Sequence, residues 1–428
     1  MAPNLKRSLK FTRLVAVTMG TPLASSVFLS IIIMELITKN IQSLILAVII
    51  ATILATLASL AYGELVSIYP SAAGNRIFLK KPMGNLTAVT LSFMWTMIIL
   101  GAAGVEAYVL GNVLHFLLPF LPAILWSFLA LTLILIVNIL GVELSGNFQM
   151  GVTFFVAISL VAVSIVALIT PHPPIHYGGG INLVNVFTAA AVGVYFFLGF
   201  GRVTTLGEEA IDYKKGIPRA MPVAIISLGA VFLFITSAIF IRVPLSLVAN
   251  SPTPQILLGN YILNRGTAIV VAIISVVMSF GTFNAGILGT SRLIYALGRE
   301  GNLPSFLGNI NSKYFTPTYS LIFIYAIALG VTIFVFITKS FTVPVLVAAL
   351  FDSFMYAFVS YSAFWHHRKI SKQEIPFSVK GGIPLFMATS AIFIILAILL
   401  IATSAPIASL TVLAGTVLSG IYFHFKIP

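Results

Sequence analysis

The sequence predicts an all-α polytopic membrane protein of twelve transmembrane helices, and three observations predict it. Of 428 residues, 59% are hydrophobic and only 8% charged, where soluble domains carry about 25% charged residues. Twelve apolar segments stand out, at roughly 11–36, 41–66, 86–118, 122–141, 147–170, 186–207, 219–242, 267–298, 318–338, 343–366, 383–402 and 405–424. They are of the ~20-residue length that a helix needs to cross a bilayer. They also lack the short alternating pattern of a membrane β-barrel.

The third observation is charge asymmetry. With the N-terminus inside, eighteen of the 23 lysines and arginines fall on one side of the membrane. They include Lys6, Arg7, Lys80, Lys81, Lys214, Lys215, Arg299, Arg368 and Lys426. Lys39, Arg242, Arg265 and Lys339 fall on the other, and Arg202 lies within a span. Basic residues collect on the cytoplasmic side, so both termini are expected there, in the cell membrane. The net charge of +13 is then topogenic, and no nucleic-acid partner is expected. The absence of cysteine excludes disulfides and thiolate metal sites. The basic start, MAPNLKRSLKFTRL, precedes a run too long for a signal peptide, so it is read as leading into an uncleaved first helix.

The first segment is interrupted at Gly20-Thr21-Pro22-Leu23-Ala24-Ser25-Ser26. Proline removes a donor and clashes with the preceding turn. The small residues after it start a new half-helix whose free N–H groups carry partial positive charge. The sixth segment is interrupted at Gly199-Phe200-Gly201, with Arg202 next. Breaks in the first and sixth segments are the trace of two five-helix repeats of inverted topology. The expected division is residues 1–170, 171–380 and 381–428, the last holding two peripheral helices. Broken helices free backbone groups to hold a polar solute at mid-membrane, which points to a transporter.

The second segment ends at Glu64, followed by a Pro-Ser-Ala-Ala-Gly turn and a basic amphipathic stretch, read as an interfacial loop. The eighth carries Asn284 within its apolar part and is rich in small residues, which favours close packing in lipid. The external loop Pro171–Gly180 carries His172 and His176, which its prolines keep off a helix; a solvated loop is expected rather than a metal site.

Five stretches in order resemble the amino acid–polyamine–organocation permeases: GTPLASSVF, AYGELVSIYPSAAGNRIFLKK, VNILGVELSGNFQ, GFGRVTTLGEEAIDYKKGIPRA and GTFNAGILGTSRLIYALGREGNLP. The resemblance implies a LeuT-like five-plus-five inverted-repeat core with helices one and six broken, two peripheral helices and alternating access. It also implies that a substrate carboxylate is held by Ala24, Ser25 and Ser26, where the family usually has Gly-Ser-Gly. The amine would meet carbonyls near Pro22, Tyr195, Leu198 and Gly199, with Tyr195 as an aromatic lid. Some relatives place a lysine in helix five where this chain has Val156, so that coupling mechanism is absent. Sodium at that place would call on Ser279 or Thr282; a proton is the preferred coupling ion.

Three ionisable groups lie deep in predicted spans: Glu106, Arg202 and Asp352. Such groups are expensive in hydrocarbon and mark function or paired structure. Glu106 lies one turn beyond Ala102 and suits a cationic substrate or a proton. Arg202 suits an anionic side chain or an inner-gate pair with Asp352. Glu208 and Glu209 are read as gate or fold contacts. Met97, Ile98, Ala102 and Val105 are expected to form an apolar pocket wall, which favours a neutral amino acid. A polyamine or cationic amino acid carrier is the alternative, and a non-transporting sensor the alternative of another class. No nucleotide loop, nucleophile–base set or metal cluster is evident, so neither an enzyme nor a cofactor is expected.

Overall fold

The computed structural model describes residues 7–140, 142–171, 180–248, 251, 253–262, 264–339, 342–403 and 406–426. His172 and His176 lie outside the described residues. The helices are α1 (Phe11–Gly20), α2 (Val27–Thr38), α3 (Ile41–Ile68), α4 (Asn75–Met83), α5 (Asn85–Leu117), α6 (Ala123–Ile139), α7 (Val142–Ile169) and α8 (Leu183–Gly193). There follow α9 (Gly216–Arg242), α10 (Leu245–Val248), α11 (Pro254–Ile262), α12 (Arg265–Arg299), α13 (Thr318–Thr338), α14 (Thr342–Lys369), α15 (Gly382–Thr403) and α16 (Pro406–Lys426). Among the described residues the β structure is one isolated bridge, Leu9 to Ala210.

Local chemistry sets many of the ends. Asparagine caps three helix starts, its side chain accepting from the backbone two or three residues on: Asn40 for α3, Asn182 for α8 and Asn264 for α12. Ten helical stretches among the described residues are long and apolar enough to cross a membrane. One of these, Leu183–Leu206, continues α8 through two 3-10 turns. Three more, α1, α2 and α6, are apolar but shorter. The first two share the first predicted segment, split where Pro22 falls. The short helices α4, α10 and α11 were not anticipated; α4 is the basic amphipathic stretch expected to be a loop.

Burial separates the interior from the lipid face. In their most apolar windows, α5, Leu183–Leu206 and α14 are each 78% buried, against 33% for α15 and 22% for α16. The buried three meet at the centre, where α14 packs on α5, on α8 and on the 3-10 turn that follows α8. The outer surface presents side chains such as Phe120, Ile158, Ile169, Ile337 and Leu418. An apolar surface this broad requires hydrocarbon around it.

One end of the bundle is laced with charge. The Glu209 carboxylate meets Arg292 Nε at 2.7 Å, both side chains fully buried. Glu208 accepts from Ala72 N at 2.9 Å and pairs with Arg299, while Arg76 of α4 pairs with Glu300. The carbonyl of Glu209 takes the N–H groups of Ser8 and Leu9, strapping the N-terminal segment across the same end. Glu64 accepts from Val379 N at 2.8 Å and contacts His367 Nδ1 at 2.7 Å, tying α3 to α14 and the segment after it.

Candidate functional site

The first break follows from its residues. Pro22 has no N–H, and Leu23 N reaches back to Met19 O to finish α1. Tight turns then lead into α2, with Val27, Phe28 and Leu29 bonding to the carbonyls of Ala24, Ser25 and Ser26. Ser25 N and Ser26 N stand at the helix start without intrahelical acceptors, as first-turn donors must. Both point at one carboxylate. Ser25 N donates to Glu106 Oε1 at 2.9 Å and Ser26 N to Glu106 Oε2 at 2.7 Å. Ser279 Oγ of α12 donates to Oε1 as well. Ser25 Oγ donates to Ser275 O at 3.0 Å, and Tyr195 OH to Ser26 Oγ at 3.1 Å. A buried acid from α5 therefore caps a half-helix 80 residues away in sequence, and each resolves the other's cost: the orphan donors gain acceptors and the carboxylate gains donors.

The second break is built differently. After α8 the chain tightens into a 3-10 turn, Val194–Phe197, and Gly199 turns left-handed at φ 82° before a second 3-10 run, Phe200–Leu206. A Cβ at Gly199 would stand 2.6 Å from Thr21 Cγ2, so this glycine is required by both conformation and space. Gly199→Ala is expected to cost ~2–3 kcal/mol, from ~1–2 for the left-handed alanine plus displacement of Thr21. The check is a lowered melting temperature of the purified protein.

Asp352 of α14 holds this second break. Its Oδ1 accepts from Trp95 Nε1 at 2.8 Å and its Oδ2 from Tyr356 OH at 3.0 Å; the Gly199 backbone N–H faces the same carboxylate. Tyr356 OH also reaches Phe197 O at 3.0 Å. Each broken helix is thus served by one buried acid from a neighbouring helix. Arg202 lies beside Asp352 without an ion pair between them. Its guanidinium sits 4.6 Å from the Trp95 ring centroid and donates Nη1 to Thr290 Oγ1. Its Nε and Nη2 have no partner among the described residues.

A cavity of about 50 Å³ lies between the breaks, bordered by Pro22, Ser26, Ala102, Glu106, Tyr195 and Leu198. That volume holds only a few waters. Ala24 borders it too, whereas Ser25 and Gly199 are not among its lining residues. The α5 wall is Ile99, Leu100, Ala102, Ala103 and Glu106, one face of the helix. The expected wall of Met97, Ile98, Ala102 and Val105 is corrected at every position but Ala102. Val105 instead packs with Leu29 and Val109 in a separate cluster. Residues 97–105 are all apolar or small, so hydrophobic periodicity within them gave no phase.

Of the other predicted residues, Thr282 lines the cavity, whereas Asn284, Ser279 and Val156 lie close by without lining it. Asn284 donates Nδ2 to Gln149 Oε1 at 2.9 Å and accepts from Asn138 at 3.1 Å, a polar tie between α12, α7 and α6. The two sodium candidates do not converge. Ser279 serves Glu106, while Thr282 Oγ1 donates to the carbonyls of Gly20 and Leu23. Those are the helix-one carbonyls a cation would need. Val156 sits in a tightly filled patch with Gly20, Gln149 and Thr153. Sequence reasoning missed Trp95, Thr290 and Tyr356; of these only Trp95, a rare residue deep in a span, offered a signal.

A match to the family described as amino acid permease spans residues 9–422. The chain belongs to the amino acid permease family. It is therefore a transporter-family membrane protein of the amino acid–polyamine–organocation superfamily. This permease is 24% identical over 290 residues to the low-affinity putrescine importer of Escherichia coli K12, with 63% of each chain covered. It is 24% identical to the human cystine/glutamate transporter over 76% of this chain and 68% of that one. It is 22% identical to an Escherichia coli D-serine/D-alanine/glycine transporter, over 74% and 71%. The match to the putrescine importer thus spans less than two thirds of that relative's length.

Proposed function

We propose that this permease is a secondary active transporter that carries a small solute bearing an amino group, an amino acid or amine, across the cell membrane by alternating access. The observation that carries the reading is the small cavity at the meeting of two broken helices, lined by Ser26, Glu106 and Tyr195. The relatives are named for amino acids and for putrescine, which share only the amino group. Twelve spans complete the reading: α1 with α2 as the first, the stretch holding α8 as the sixth, and α15 and α16 peripheral. Residues 1–170 and 171–380 form inverted repeats and 381–428 the periphery, with both termini cytoplasmic as the basic residues require.

A proton is the coupling ion in this reading. Glu106 is a titratable group at the cavity, and the Ser279 hydroxyl is bonded to it. The apolar walls suit a neutral or apolar solute body. The test is uptake of radiolabelled amines and amino acids into proteoliposomes under an imposed pH gradient. Saturable uptake that follows the pH gradient and ignores sodium supports the reading. No uptake of any amine or amino acid would overturn it.

A further inference from the structure

The capping of α2 by Glu106 bears on what the cavity accepts. The two N–H groups at the start of α2 are the natural seat for a solute carboxylate, since a helix N-terminus binds anions. In this chain that seat is filled from within. Both oxygens of Glu106 are engaged, by Ser25 N, Ser26 N and Ser279 Oγ, and the side chain is 1% exposed overall. The same carboxylate borders the cavity, and no lysine, arginine or histidine is among the lining residues. Among the lining residues, the cavity's one acidic or basic side chain is therefore an acid. Its remaining walls include Val27, Ile99, Leu131, Phe283 and Ile324.

A solute carboxylate entering here would meet occupied donors and another acid, whereas an ammonium would meet a carboxyl group that no cationic side chain of the lining neutralises. We propose that Glu106 is a resident substitute for a substrate carboxylate, and that the cargo is a small organic amine without an α-carboxylate. The ammonium binds Glu106 and the aliphatic body lies against the apolar wall. This inference rests on the transporter reading above. The chemistry asks for one ammonium, so a monoamine with an apolar tail fits better than a diamine. A second charge would lie against hydrocarbon side chains.

The test uses matched pairs that differ only by the carboxylate: 3-methylbutylamine against leucine, 2-methylpropylamine against valine, and putrescine against ornithine. Thermal stabilisation and proteoliposome uptake are measured for the full chain. The amines are expected to bind at least tenfold tighter than their parent amino acids, with the monoamines ahead of putrescine. Glu106→Ala is expected to lose amine binding at least tenfold. It also empties the helix seat, so leucine or acetate should now stabilise the variant where neither stabilises the parent. Should Glu106→Ala fail to fold, Glu106→Gln keeps the shape and is expected to lose the amines without gaining the acids. If the parent protein takes up leucine, valine or ornithine as well as their amines, the inference is overturned and the transporter reading stands. If it takes up neither set, both fall together.

Discussion

Arg292→Ala is expected to destabilise this permease by ~3–5 kcal/mol, the usual cost of stranding one charge of a buried ion pair. Arg292 Nε meets Glu209 Oε1 at 2.7 Å with both side chains fully out of solvent. The second oxygen of Glu209 has no partner among the described residues, so no neighbour is in place to compensate. The damage should extend beyond the pair, because the Glu209 carbonyl also anchors Ser8 and Leu9. Replacing both charges, Arg292→Met with Glu209→Leu, should recover most of the loss, since an apolar pair removes the desolvation cost as well. Thermal unfolding in detergent, followed through the three tryptophans, distinguishes these outcomes. A single variant within ~0.5 kcal/mol of the parent, the range of an ordinary surface change, would contradict the assignment.

Asp352→Ala is the second large effect. The carboxylate is fully buried and collects Trp95 Nε1 and Tyr356 OH beside the Gly199 backbone. Its removal leaves Trp95 Nε1 and the Gly199 N–H without an acceptor, at ~1–3 kcal/mol each, while Tyr356 OH keeps Phe197 O. It also leaves the Arg202 guanidinium with no acid beside it, so a total of ~3–5 kcal/mol is expected from the stranded donors and the uncompensated charge together. Arg202→Met should cost less than half as much. Two of its nitrogens already lack partners, and Asp352 keeps its hydrogen bonds when the arginine goes. Melting temperatures of the two variants side by side test this ordering. The reverse ordering would mean that Arg202, not Asp352, holds the second break.

Much of this architecture was legible in the sequence because lipid leaves few options. Long apolar runs must be helices, and Pro22 and Gly199 must interrupt them. Six of the eight residues assigned to substrate binding do line the cavity, since they cluster at the two interruptions. Glu106 was legible as a buried acid, but its partners were not. They lie 80 and 173 residues away in sequence, a separation that no periodicity encodes. The two facts were nonetheless complementary, since a half-helix start lacks acceptors and a buried acid lacks donors. The rotation of α5 was illegible for another reason. A stretch that is apolar on every side, as residues 97–105 are, carries no phase, and packing against neighbours such as α6, α12 and α13 decides which stripe faces inward. Likewise Asp352 and Arg202 invited pairing by charge alone, whereas the indole of Trp95 lies against both.

If the cavity between the two breaks is the solute site of an alternating-access cycle, it opens in turn to each side of the membrane. The chain has no cysteine, so Ala102→Cys places one thiol on the cavity wall against no background. The decisive measurement is its labelling by a membrane-impermeant thiol reagent in proteoliposomes, with reagent outside or trapped inside. Labelling from both sides is expected, slowed severalfold by a transported solute. Labelling from one side only, or labelling that no transported solute slows, would contradict this role of the cavity.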